Sequence, residues 1–434
     1  MNEYTKKLLS FIEASPSPYH VCENFAQMLL CAGFTELSEG DVISALPQGG
    51  YFVRRNASSI LAFRMPKEKA DRFMICAAHS DSPAFCIKED AELVSGPYVR
   101  INAERYGGMI PQAWMDRPLS VAGRLLVREA DARITTKLVN VDRDLLLIPN
   151  IAPHMTRINE TNPAIDLVPL FGEASAKGSF RQTVAEAAGV EEERILSADL
   201  YLYNRDRGTV WGADDAFVSA PRLDDLQCAF SAMTALLSSE PMEHTVSMCA
   251  VFDNEEVGSH TKQGAASSFL SDILHRILFV QGGTEQDYMT AIANSMMVSA
   301  DNAHAVHPNH PEFADPTHRP QMNGGIVIKH NASQRYTTDA VSAALFLEIC
   351  RRADVRVQHF YNRSDMTGGS TLGNIANMHV SLNTVDIGMA QLAMHSPLET
   401  AGARDTEQLI CALRVFFGAR LHTSAGGTFA LAFS

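Results

Sequence analysis

The chain has no run of lysine and arginine, no CxxC cysteine pair, no hydrophobic run of membrane-spanning length, no internal repeat and no low-complexity segment. Each absence removes a class of function. With 36 Lys and Arg against 50 Asp and Glu, the formal net charge is −14, and without a basic stripe to lie against phosphates no nucleic-acid partner is expected. The eight cysteines are scattered, mostly among apolar neighbours, and read as buried thiols, not as a disulfide framework or a cysteine-based zinc site. The opening MNEYTKKLLSFIEASPSP has only a brief apolar stretch, interrupted by Glu13, so it fits an amphipathic helix ended by Pro16 and Pro18 and not a signal peptide. No segment is long enough to span a membrane. A reducing, cytoplasmic compartment is expected.

What is present is 434 residues, 46% hydrophobic and 20% charged, enough for two or three domains. Residues 3–33 read as helix with a break at 15–18, and YFVRRNASSILAFR (51–64) reads as a hairpin turning near Asn56–Ser58. FMICAA (73–78) is a short buried strand. From 88 to 217 short β-like pieces dominate (YVRINAERYGG, LSVAGRLLV, ITTKLVNV, LSADLYLYN), with one helical segment near 181–194. Long elements return from Ala220: helices over about 222–238, 262–276, 338–353, 371–377 and 403–419, and strands at about 246–252, 296–300 and 355–361. The expected organisation is an α/β domain made of 1–87 and 218–434, interrupted by a β-rich domain at 88–217.

HTVSMCAVFDNEEVGS (244–259) organises the rest. Its apolar half fits a strand buried on both faces, and it stops at Asp253-Asn254-Glu255-Glu256. Carboxylates that close repel unless a cation, a shared proton or solvent intervenes. A solvated turn would also explain them, but two other strands end similarly, at His79-Ser80-Asp81 and at Asp301-Asn302. Ligands collect at the carboxyl ends of strands in open α/β sheets, so these groups can converge. Asp224, at a helix start, and His395, in a loop, extend the set to His79, Asp224, Glu256, Asp301 and His395. Two imidazoles and three carboxylates suit zinc, cobalt or manganese and exceed one tetrahedral shell, so two ions sharing a carboxylate fit better. Singly, Asp224 could be only an N-cap, Asp301-Asn302 a turn, and each histidine a satisfied core residue. His304, His307 and His310 are tempting, but Pro308 prevents one helical face, and they are taken as supporting residues. No local motif is as specific as HExxH. Spacing alone carries the reading as far as a metallohydrolase.

The chain resembles the aspartyl aminopeptidase family of two-zinc exopeptidases along nearly its whole length. The matching pieces are SPSPYHV (15–21), AGFTEL (32–37), YFVRRNASSILAF (51–63), AAHSDSP (77–83), DRPLS (116–120), APRLDD (220–225), FDNEEVGS (252–259), SADNAHAVHPN (299–309), IKHNASQRYTTDAV (328–341), GGSTLGN (368–374) and DIGMAQLAMHS (386–396). The resemblance implies a mixed-sheet α/β/α zinc-aminopeptidase domain with an inserted β-rich dimerisation domain. It implies that His79 and Asp301 hold one zinc, that Glu256 and His395 hold the other, and that Asp224 bridges them. Asp81 would orient His79 and Glu255 would be the general base, taking the proton of a metal-activated water and returning it to the leaving amine. Lys329 and Tyr336 match the positions that family members preferring N-terminal Asp or Glu use, and a cation at Lys329 suits an acidic side chain. His154 matches a histidine lent to a neighbour's active site within tetrahedral dodecamers, where it would stabilise the oxyanion. At 366–370 this chain reads MTGGS where some members have Pro-Cys-Gly-Ser, which bears on pocket shape and leaves every implied ligand in place.

Rival readings are an aminopeptidase of neutral residues, a two-metal deacylase of N-acyl amino acids, and a shell-like scaffold without chemistry. The last would have lost a ligand or the base, and none is missing.

Overall fold

The computed structural model describes residues 2–155 and 161–433. Its centre is a nine-stranded mixed sheet in the order Thr35–Leu37, Gly49–Arg55, Ser59–Met65, Thr245–Phe252, Arg72–His79, Met296–Ala300, Asn383–Gly388, Ile326–His330, Val357–Tyr361. The four strands from Thr245–Phe252 to Asn383–Gly388 run parallel. Alternation explains the continuous apolar run at 73–78. In Arg72–His79, Met74, Cys76 and Ala78 pack with the helices Glu3–Ala14, Pro18–Cys31, Leu223–Leu237, Ala340–Arg352 and Asp405–Phe417. Phe73, Ile75 and Ala77 pack on the other face with Phe269–Val280 and Leu372–Ala376. A strand covered on both sides has no polar face to show.

The register places the strand ends together. Phe252 pairs with His79, and Ser299 with Ala77, so Asp253, His79 and Asp301 leave the sheet at one edge. There the chain must turn and shed its apolar character, which puts polar groups in one place.

A six-stranded antiparallel sheet lies between Ala84 and Asn204, with its own core around Phe85, Trp114, Leu119 and Leu202 and the helix Phe180–Ala188 against it. Beyond it, Thr209–Trp211 pairs with Phe217–Ala220, which pairs in turn with Glu399–Gly402, in a five-stranded sheet. That sheet also contains Ala390–Leu392 and Ala303–His304, and so frames the loop carrying His395.

Several elements differ from the sequence reading. The helix expected over 262–276 begins at Phe269, because 262–268 is a series of turns in which Gly264 lies against the Ser259 carbonyl, leaving no room for a side chain. The helix Glu285–Ala293, the strand Ile326–His330 and the terminal hairpin Ala419–Ser424/Thr428–Phe433 were not anticipated. All eight cysteines are unpaired, with Cys22, Cys76, Cys228, Cys249 and Cys350 buried. Among the described residues no helix is long and apolar enough to cross a membrane.

Candidate metal centre

At this sheet edge a cavity of about 350 Å³ opens over His79, Asp224, Glu255, Glu256, Asp301 and His395. The six come from five separate segments. His79 ends its strand and is fully buried; its backbone N–H donates to Asp225 Oδ2 at 3.2 Å. Asp224 sits at the start of the helix Leu223–Leu237, with its N–H donated to the buried Glu399 carboxylate at 2.9 Å. Glu255 and Glu256 open a short turn whose Asn254 has a positive φ of 62°. His395 has a φ of 68° and donates its N–H to the other oxygen of Glu399 at 2.7 Å.

Side-chain geometry divides the groups into two overlapping sets. His79, Asp224 and Asp301 offer ligand atoms within 4.8 Å of one another, and so do Asp224, Glu256 and His395. Asp224 belongs to both: Oδ1 lies 3.5 Å from His79 Nε2, and Oδ2 lies 3.5 Å from His395 Nε2. His395 Nε2 is 3.4 Å from Glu256 Oε2. These separations suit atoms sharing a cation, since two ligands about 2.0–2.2 Å from one ion stand roughly this far apart. His79 Nε2, Asp224 Oδ1 and Glu256 Oε1 are moreover buried without a hydrogen-bond partner. Native proteins rarely leave such atoms unsatisfied. A third triplet, His79, Glu255 and Glu256, overlaps both sets and brings Glu255 to the same space.

The electrostatics carry the same requirement. Burial pushes the Glu255 carboxyl up to about 8, with the charge of Asp301 adding to it. Burial likewise raises Glu256 well above the ordinary carboxylate range, with Asp224 as the next contributor. Asp224 is pushed upward by burial too, but the imidazoles of His395 and His79 outweigh that and hold it low. Burial lowers His79, and the carboxylates of Asp224 and Asp81 more than reverse the effect. Carboxylates and imidazoles at this density are stable as anions and neutral rings when a divalent cation balances them.

Asp81 is buried behind this group. The nearer partner of His79 Nδ1 is the Asp81 backbone carbonyl, at 3.0 Å, with carboxylate Oδ1 at 3.4 Å. The carboxylate also accepts the backbone N–H groups of Glu255 and Glu256, each at 3.1 Å. Lys329 and Tyr336 line the cavity wall. The Lys329 ammonium donates to the Asp301 carbonyl at 2.7 Å, stands 3.3 Å from its carboxylate and lies 5.2 Å above the Tyr336 ring centroid. Burial lowers the Lys329 pKa, but the charges of Asp301, Tyr336 and Asp386 together more than reverse that, so the residue is a cation. His154 is exposed and is not among the residues lining the cavity of its own chain. His304 lines it, while His307 and His310 face each other outside, ring centroids 5.3 Å apart.

Glu399 escaped the sequence reading. One buried carboxylate holds the backbones of Asp224 and His395 and accepts from Gln391 at 3.3 Å. Its only signal is an acidic residue in a stretch of small and apolar ones, four positions after His395.

The family model for aminopeptidase I zinc metalloproteases (M18) matches residues 11–417. A probable M18 family aminopeptidase 2 of Clostridium acetobutylicum is 44% identical over 415 residues, covering 93% of this chain and 96% of that protein. A protein of the same description from Mycobacterium leprae is 40% identical over 420 residues, covering 95% and 98%. Among solved structures, Ape4 in its complex with Nbr1 superposes with a TM-score of 0.92 at 34% identity, covering 95% of this chain and 85% of that one. The mature Ape1 dodecamer of S. cerevisiae gives 0.85 at 29% identity, with 96% of each chain covered. A match over nearly the whole length, together with a cluster of ligand atoms at the strand ends, places the chain in the M18 family of zinc metalloaminopeptidases, which are hydrolases.

Proposed function

We propose that this zinc aminopeptidase works with two ions per subunit and removes single N-terminal residues, preferring Asp and Glu. The observation that carries the two-ion reading is the shared position of Asp224. Its two oxygens face His79 on one side and His395 on the other, and His79 Nε2, Asp224 Oδ1 and Glu256 Oε1 are buried without partners. His79 and Asp301 would hold one ion, Glu256 and His395 the second, with Asp224 between them. The ions would most suitably be zinc; cobalt and manganese accept the same nitrogen and oxygen donors. When bound they would supply Lewis acidity and a more acidic water.

The chain's own residues then do the following. Glu255 receives the water's proton and delivers it to the leaving amine, a task suited to a carboxyl whose burial moves it toward neutrality. The Asp81 carboxylate holds the Glu255 and Glu256 backbone, so the base and the ligand beside it keep a fixed relation. The acidic cluster attracts the substrate's free α-ammonium, which supports action on peptides with an open N-terminus. Among the described residues Lys329 is the only Lys or Arg lining the cavity. With the charge of Asp301 drawn to a cation, the ammonium remains as the positive end of the pocket beside Tyr336, and an acidic side chain fits there.

The six-stranded unit, assigned to 88–217, is proposed to pair subunits within a homo-oligomer built of dimers assembled into a tetrahedral dodecamer. The mature Ape1 of S. cerevisiae, a dodecamer, supports that assembly. An exposed His154 that does not line its own cavity fits a residue lent to a neighbour to stabilise the oxyanion. Unpaired cysteines accord with a cytoplasmic setting.

Hydrolysis of Asp-, Glu-, Leu- and Lys-arylamides, with and without a chelator, tests this reading. Chelator-sensitive release is expected mainly from Asp and Glu. Release mainly from Leu would keep the aminopeptidase and remove the acidic preference. Cleavage of N-acyl substrates alone would replace the reading with a deacylase.

A further inference from the structure

Tyr106 ends the strand Tyr98–Tyr106 of the six-stranded sheet, yet its phenol reaches the centre described above. The hydroxyl donates to Asp81 Oδ2 at 2.7 Å. It accepts from Asn254 Nδ2 at 2.8 Å. The Asn254 carbonyl oxygen is taken by Thr261 Oγ1 and Gln263 Nε2, both at 2.7 Å, so the amide must present its NH2 to Tyr106. With one lone pair so engaged, the phenol proton is directed to Asp81. The ring is fixed by an edge-on contact with Tyr201, centroids 5.6 Å apart at 87°.

The Asp81 carboxylate is 1% exposed and serves both halves of the centre, the His79 imidazole on one side and the Glu255–Glu256 backbone on the other. Oδ2 takes two of these bonds, from Tyr106 and from Glu256 N–H. The carboxylate plane therefore depends on the phenol. The residues after Tyr106 continue against the ligands. Gly107, at φ +75°, packs on Glu256 so closely that a Cβ would stand 3.0 Å from the glutamate Cβ. Ile110 N–H donates to the His395 carbonyl at 3.2 Å.

We infer that Tyr106 is a positioning residue of the metal centre, reaching from the six-stranded sheet and acting through Asp81 to keep His79 and the Glu255–Glu256 pair in register. The inference rests on the two-metal assignment above. Partners of this kind that orient ligands are worth about 10–100-fold in metal affinity or activity. Without the hydroxyl, Oδ2 loses a donor, the Asn254 amide loses its acceptor, and the carboxylate can rotate away from His79.

The test compares wild type, Tyr106→Phe, Asp81→Asn, the double variant and His79→Ala. Zinc affinity is read by competition with a chromogenic chelator, and kcat and KM with an Asp-arylamide. Tyr19→Phe is the control, since it removes a hydroxyl from the same seam, one that donates to Asp199 at 3.1 Å away from the ligands. Tyr106→Phe is expected to bind zinc about 10-fold or more weakly and to lose about 10–100-fold in kcat with KM nearly unchanged. Tyr19→Phe should match wild type. The double variant should be no worse than Asp81→Asn, because the two residues act in series. Wild-type zinc affinity and kcat in Tyr106→Phe, with zinc lost from His79→Ala, would overturn this inference alone. Full zinc on His79→Ala would overturn the site assignment and this inference with it. If Tyr106→Phe does not fold, Asn254→Asp takes its place: an acceptor there competes with Asp81 for the phenol proton, and the same loss is expected, while wild-type zinc binding would again refute the inference.

Discussion

On the floor of the cavity His79 Nε2, Asp224 Oδ1 and Glu256 Oε1 are buried and unpaired, whereas on its wall the Lys329 ammonium has its donors engaged by the carbonyls of Asp301 and Asn302 and by the Asp301 carboxylate. The floor is incomplete as protein alone and calls for cations. The wall is satisfied by protein alone, and under the proposed function its readiness for a substrate would depend on how Asp301 shares its charge. On the function proposed above, affinity for the metal would rest on orphaned atoms, and specificity on a cation already committed to a neighbour. Asp301 is the residue common to both.

The strongest way to break the comparison is at the floor. Asp224→Asn should cost more than the roughly 10–100-fold typical of supporting residues, since it removes the carboxylate shared by both sets. Metal analysis should find both sites depleted, and normal metal content would contradict the shared role. His154→Ala belongs to neither floor nor wall of its own chain. It should lower kcat by about 10²–10³-fold with assembly intact, the cost of removing an oxyanion donor, as read by turnover alongside sedimentation. Full turnover with intact assembly would remove His154 from the reaction.

A smaller effect sharpens the wall. Lys329→Met should lower kcat/KM for Asp-arylamide by about 10–100-fold, the worth of a charged hydrogen bond of about 1.5–3 kcal/mol, and leave Leu-arylamide much less affected. Equal losses on both substrates, with zinc lost as well, would show that floor and wall act as one unit. The smallest effect concerns pH. In the metal-free protein burial raises Glu255 from 4.5 to about 8, so between these values the folded chain holds a proton that the unfolded chain has released. Stability of the stripped protein should fall as pH rises through that window. His79, also raised, acts in the same direction, since its contribution is lost as pH climbs above the ordinary histidine range. Thermal melts with and without chelator from pH 5 to 8 should show the two curves diverging with rising pH. Parallel curves would mean that the floor does not need the cation.

Much of this cluster could be read from sequence because several of its candidate ligand groups sit where apolar runs end. Arg72–His79, Thr245–Phe252 and Met296–Ala300 are covered on both faces, so their sequences are mostly apolar until the chain leaves the sheet, and the change to His, Asp and Glu marks the edge. Elements without that contrast were missed. Ile326–His330 is a five-residue strand containing a buried lysine, a residue type that argues against burial unless its partner is known. The helix expected over 262–276 starts only at Phe269, because Gly264 is needed for a close turn before it. Glu399 and Tyr106 carry no pattern at all. Their partners lie on other segments, and only the folded register joins Glu399 to Asp224 or Tyr106 to Asp81.

The most direct measurement is made on Glu255→Gln, with zinc content and Asp-arylamide turnover determined on one sample. Glu255 is assigned to the proton and Glu256 to the metal, so the expected result is two zinc ions per subunit with turnover reduced by several powers of ten. Zinc lost in proportion to activity would make Glu255 a ligand, and turnover kept with zinc bound would remove it as the base; either result would contradict the division of labour between the paired glutamates.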